Sequence, residues 1–174
     1  MKKQIIHIYS IFLIIGLLFF ASCKLPSGAW MEFKNNSTQS IRYLSPLCCD
    51  GSLFVNNDTT LKLCINPPNT YHEIPSNKTR LCAELHSYPF EYIYTNLQVD
   101  VLPFFIFSSK VLDSLPWDTI RNQYLILQRY DLSVFDADHI GTLVFPPDST
   151  MKHIHMWPPY GTYDQRGGNK KLKP

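Results

Sequence analysis

Three clusters in this chain have residue types and spacings suited to chemistry. Asp136, Asp138 and His139 gather two carboxylates and an imidazole within four positions, a set able to ligate a metal ion. His153 and His155 lie two apart, so on a strand they share one face, and His139 would complete a three-histidine zinc site. Arg129 and Asp131, also two apart, suit an ion pair or a turn in which Asp131 bonds its own backbone. The bland reading is the expectation in each case. Acids at a helix start offset exposed N–H groups, and paired histidines near a chain end are ordinary surface residues. No catalytic residue, metal or cofactor is therefore assigned.

Cys48, Cys49, Cys64 and Cys82 allow three disulfide pairings. A vicinal Cys48–Cys49 bond would be strained, so each pairs with Cys64 or Cys82, or all four remain buried thiols acting as small hydrophobes. The chain has no G-x-G-x-x-G and no Walker A loop, which argues against nucleotide-binding α/β enzymes, and no G-x-S-x-G nucleophile elbow, so no serine nucleophile motif is present. Tyr88, Phe90, Tyr92 and Tyr94 recur at every second position. On a strand they would form a stacking platform for sugars, whereas core packing or a helix explains the same rings and is expected.

Cys23 carries chemistry of another kind. Lys2 and Lys3 precede an apolar run from Ile5 to Phe20, and Phe20, Ala21 and Ser22 lead into Cys23. That run is short for a membrane span and ends abruptly. It resembles a bacterial lipoprotein signal, in which Cys23 is acylated and becomes the mature N-terminus, with Phe20 and Ser22 departing from the usual Leu and Gly or Ala. The expected layout is a signal over 1–22, a tether over 23–28, one β-rich domain over 29–160 and a flexible basic tail over 161–174. Cleavage would leave 152 residues, enough for one domain with a substantial core.

Lys2 and Lys3 leave with the signal, so the 16 Lys and Arg fall to 14 and match the 14 acids. Arg166, Lys170, Lys171 and Lys173 are concentrated in the tail, which leaves the body mildly acidic. A nucleic-acid partner needs a basic stripe on the folded domain and is not expected.

The elements that would position these residues read mainly as strands. Trp30–Phe33 and Ser40–Leu44 flank a turn at 35–37 and predict a β-hairpin. Ser52–Val55 and Thr60–Ile65 are short strand candidates, and Thr79–Leu85 alternates apolar with polar. Pro89–Thr95 suits a helical turn. Val99–Phe107 suits a buried central strand, although Pro103 requires a bulge or an unpaired edge there. Asp113–Asn122 predicts a helix capped by Ser114, and Gln123–Tyr130 another strand. Ser133 with Asp136 predicts an acidic capping box, Gly141 a helix stop, and Thr142–Phe145 and Ile154–Trp157 the last strands. Alternating strands with one wet face predict two packed sheets. The expected fold is mainly β, an immunoglobulin-like two-sheet β-sandwich with short helical insertions, with a small α+β domain as the alternative.

Leu125–Leu132, with Trp117, Ile120 and Arg121 before it and Val-Phe-Pro-Pro and Pro-Pro-Tyr after it, resembles uncharacterised envelope lipoproteins of Bacteroidales. The likeness covers about Val99–Tyr160. It implies a compartment and a lineage, the envelope of a Bacteroidota cell, and no activity. Lys24, Leu25 and Pro26 after the acylated cysteine then imply an outer-membrane lipoprotein facing the periplasm rather than the surface. The implied partners are the membrane, through the lipid, and an envelope protein or a glycan. The resemblance also implies candidate O-glycosylation where Asp precedes Ser or Thr and then an apolar residue or Thr, namely Thr59, Ser114, Thr119 and Ser149. Turns and helix caps account for the same triplets. The preferred function is a non-catalytic binding or assembly module, and the alternative is a small metal-dependent or hydrolytic envelope enzyme.

Overall fold

The computed structural model describes residues 31–45, 61, 67–68, 72–82 and 89–162. The strand candidates Ser52–Val55 and Thr60–Ile65 (apart from Leu61) and most of the basic tail lie outside that set, as do Cys23, Cys48, Cys49, Thr59 and Cys64.

The described chain is mainly β, with two sheets of three and five strands and a few short helices, an arrangement compatible with a β-sandwich. The strands are β1 (Glu32–Asn35), β2 (Ile41–Leu44), β3 (Glu73–Ile74), β4 (Lys78–Leu81), β5 (Val101–Ser108), β6 (Gln128–Ser133), β7 (Thr142–Phe145) and β8 (His155–Trp157). The helices are α1 (Phe90–Leu97), α2 (Ser109–Ser114), α3 (Trp117–Asn122) and α4 (Val134–Ile140). The smaller sheet runs β4-β1-β7 and the larger β3-β2-β5-β6-β8.

β1 and β2 do not form the expected hairpin: they belong to different sheets. Phe33 and Tyr43 explain why. Their rings stack at 4.7 Å with planes 10° apart, so the two strands face one another across the core instead of pairing edge to edge. Asn35 ties the crossing. Its buried Nδ2 donates to Gln39 O (2.8 Å) and Ile74 O (2.9 Å), and its Oδ1 accepts from the N–H and the hydroxyl of Ser37.

β5 is buried along almost its whole length because both its faces are covered, which is why it reads as a continuous apolar run. One face meets the smaller sheet in a core containing Phe33, Tyr43, Phe104, Ile106, Tyr130 and Leu143. The other carries Phe105 and Phe107 against Ile120, Val111, Leu112 and Trp117 of α2 and α3. The β2–β5 register ends at Leu44↔Phe105, while β6 continues past Pro103 to Val101. Among the described residues Pro103 therefore lies where β5 is paired on one side, the edge that a proline requires.

Pro116 splits the expected 113–122 helix in two and itself occupies the N-cap position of α3. Ser114 ends α2 by donating to Lys110 O (2.7 Å), so it is not the cap of the following helix. The next strand begins at Gln128 rather than Gln123, after a turn in which Tyr124 adopts φ 53. The capping box of α4 is present in both directions, Asp136 N–H to Ser133 Oγ and Ser133 N–H to Asp136 Oδ2. β7 sits at an edge of its sheet. Its buried Val144 carbonyl accepts from Tyr130 Oη (2.6 Å), and its N–H reaches Met151 Sδ (3.3 Å).

Candidate functional site

Alternation along β6 builds the site. Tyr130 and Leu132 enter the core between the sheets, which puts Arg129, Asp131 and Ser133 on the opposite face. Register then assembles rows across three strands: Phe105–Arg129–Trp157 and Pro103–Asp131–His155. Phe105 belongs to the core under α2 and α3, and Trp157 is 40 % exposed, so Arg129 marks where that helical cover stops.

Beyond this line the face opens into a pocket of about 540 Å³ lined by Val101, Arg129, Asp131, Ser133, Asp136, His153 and His155. Its polar groups hold one another in place. Arg129 Nε stands 2.8 Å from Asp131 Oδ1, and Nη2 donates to Oδ2 at 3.0 Å. Arg129 Nη1 donates to the Tyr124 hydroxyl at 2.7 Å, and the Tyr124 ring meets Trp157 edge to face at 5.2 Å. On the other side His155 Nδ1 lies 2.7 Å from Asp131 Oδ2. A carboxylate oxygen there only accepts, so the shared proton belongs to Nδ1, leaving Nε2 as the ring's other polar atom. The His155 side chain is 77 % exposed while that of Asp131 is 6 % exposed, so the buried acid orients an imidazole that solvent reaches.

Asp136 forms the opposite wall. Its Oδ2 accepts from the N–H and hydroxyl of Ser133, and its Oδ1 lies 3.6 Å from His153 Nε2. Burial alone would lower the affinity of the Arg129 guanidinium for its proton. The hydrogen bond and charge of Asp131, with the Tyr124 hydroxyl, more than reverse this and raise its pKa. Burial, followed by the nearby charge of Asp136, pushes the Tyr94 phenol well above its ordinary range. Tyr94 keeps its proton and donates it to Leu132 O at 2.6 Å.

Of the residues that the sequence offered as metal ligands, the structure brings Asp136, His153 and His155 to one pocket and leaves Asp138 and His139 outside it. His139 Nδ1 bonds to Phe135 O (2.8 Å), and its ring stacks on Phe135. Neither His139 nor Asp138 lines the pocket. Among the described residues no group of three His, Cys, Asp or Glu side chains is placed to hold a metal ion, so the His139–His153–His155 site is not assembled. His153 and His155 each face a different carboxylate instead.

Tyr88 lies outside the described residues, and the rest of the Tyr-rich stretch is helical. Phe90 and Tyr94 are buried in the core and Tyr92 is exposed, so these three described rings form no row. Cys82 is buried and its N–H donates to Met31 O at 2.8 Å. Thr119 lies half-buried in α3, and its neighbour Asp118 pairs with Arg121 at 2.6 Å. Ser149 is exposed in a turn where Asp148 Oδ1 accepts from the N–H and hydroxyl of Thr150.

Sequence reasoning paired Arg129 with Asp131 but did not find His155, Tyr124 or Trp157 as their neighbours. Only the β6–β8 register supplies those contacts, and no local motif encodes it. No protein-family model, curated protein or solved structure matches the chain, so the reading of this pocket rests on its own geometry.

Proposed function

We propose that this protein is a lipid-anchored envelope protein whose folded body is a non-catalytic binding module. The carrying observation is the fixed polar strip Tyr124–Arg129–Asp131–His155, largely buried at Arg129 and Asp131 and opening to solvent at His155, which borders a pocket on the larger sheet. Groups locked by mutual bonds lose little freedom when a ligand arrives, which favours recognition. The Lys2-Lys3 start, apolar run and Cys23 support acylation, Lys24, Leu25 and Pro26 support outer-membrane placement facing the periplasm, and the resemblance over Val99–Tyr160 supports a Bacteroidota origin. The two sheets with a shared core support the finer fold reading, an immunoglobulin-like sandwich.

Mass spectrometry of the protein from its native host tests the anchor. A diacylated N-terminus at Cys23 is expected, and an unmodified chain beginning at Met1 overturns it. The module reading is tested by ligand-dependent thermal shift of the wild type and of His155→Ala. A stabilising ligand whose effect disappears in the variant supports it, and a library with no such ligand counts against it.

One observation favours a hydrolytic second reading: the 2.7 Å Asp131–His155 pair has the geometry of an oriented general base. Turnover of p-nitrophenyl esters above the rate of free imidazole, lost in His155→Gln, would select it.

A further inference from the structure

We infer that the pocket and the adjoining Trp157 ring form a binding site for a hexopyranose unit, free or within a glycan. This rests on the pocket being a binding site and names its ligand class.

The site pairs two types of surface. Trp157 and His155 alternate with buried Met156, so both project from the same face of β8, about 7 Å apart along the strand. Trp157 is 40 % exposed and stands opposite Arg129 in register, at the rim where the polar strip begins. A pyranose has a matching pair of surfaces: a C–H face that stacks on an aromatic ring and an edge of adjacent hydroxyls that each donate and accept. An indole beside a planar guanidinium–carboxylate–imidazole strip offers both at one ring's spacing.

Charge is the second feature of the site. Arg129 neutralises Asp131 directly, and Asp136 is occupied by Ser133 and faces His153. With Arg129 offset by Asp131, one formal negative charge remains on Asp136, and such a lining of donors and acceptors suits a polyhydroxylated ligand better than a phosphate. The third is fixed orientation. Arg129 is held by Tyr124 as well as by Asp131, and Tyr124 also meets the Trp157 ring. One side chain thus couples the stacking surface to the hydrogen-bonding surface. A volume of about 540 Å³ falls within the roughly 300–1,000 Å³ of small-molecule sites and has room for a sugar ring with its neighbour's linkage.

The test titrates the full mature chain with the methyl glycosides of glucose, galactose, mannose and N-acetylglucosamine. Sorbitol serves as an acyclic polyol control. Tryptophan fluorescence and saturation-transfer NMR report binding to the wild type, Trp157→Ala and His155→Ala, with circular dichroism checking that both variants fold. The expected result is binding of at least one glycoside at about 1 mM or tighter, weakened about tenfold or more by Trp157→Ala and measurably by His155→Ala. Sorbitol should not bind. No glycoside binding, equal binding of sorbitol, or glycoside binding that Trp157→Ala leaves unchanged overturns the inference. A mixed library of small amines, carboxylates and heterocycles, screened by thermal shift, separates the two levels. A hit sensitive to His155→Ala but no sugar binding overturns the sugar class and keeps the binding site. Neither kind of binding overturns both.

Discussion

Asp131 is clamped from two sides by groups of different exposure, and this predicts an asymmetry among its variants. Arg129 and Asp131 expose 13 % and 6 % of their side chains, whereas His155 exposes 77 %. Replacing Asp131 by Asn leaves a largely buried guanidinium without its counter-charge, at a cost of about 3 kcal/mol. Replacing His155 by Gln removes a contact that water readily substitutes, at a cost of about 0.5 kcal/mol. Urea midpoints of the two variants check this, and equal losses would show that His155 is structural. The Arg129–Asp131 pair was legible in the sequence because two residues on one strand share a face. The histidine was not, since it arrives from 24 positions away through strand register. His139 misled for the converse reason. Its spacing to His153 and His155 fits a ligand set, but α4 binds its ring to Phe135.

At the scale of elements, polar side chains fasten the helices and edges to the sheets. Tyr94 bonds α1 to the Leu132 carbonyl of β6, and its phenol is raised by burial and by Asp136. Tyr94→Phe should cost about 1 kcal/mol at neutral pH. It should also alter the alkaline limb, with a sign that follows from proton binding. The folded state holds this proton to higher pH than the unfolded chain, whose phenol titrates near 10.0. The Tyr94 contribution is therefore complete below about pH 10 and is lost as pH rises through the folded value. Wild-type stability should fall over that range more steeply than that of Tyr94→Phe, a difference that denaturation at pH 9 and pH 11 would reveal. Ser133→Ala removes both bonds of the Ser133 hydroxyl to Asp136, leaving the backbone N–H bond to Oδ2, and should lower stability by about 1 kcal/mol while loosening Asp136 in the pocket wall. This box could be read from the sequence because capping is local, as could the buried nature of β5. The β1–β2 hairpin misled because a short polar turn looks alike whether the strands pair or cross between sheets. Only the Phe33–Tyr43 stack and the Asn35 bonds decide between them.

For the whole molecule, the anchor and the pocket make separable demands on the chain. Eight peptide links join Cys23 to Met31, the first described residue, so the body can stand at most roughly 28 Å from an acylated cysteine. A lipid there would hold the pocket within reach of envelope polymers and raise its effective concentration toward them without any new contact. Cys23→Ala should therefore move the protein from the detergent to the aqueous phase on phase partitioning and abolish acyl labelling. The denaturation midpoint and the glycoside affinity of the body should remain unchanged, because among the described residues none that lines the pocket lies before Val101. Retention of the variant in the membrane would mean that Ile5–Phe20 holds the chain as an uncleaved anchor. A change in affinity would mean that the N-terminal segment contributes to the site. Two measurements on one variant thus decide independently where the protein is held and whether its holding matters to what it binds.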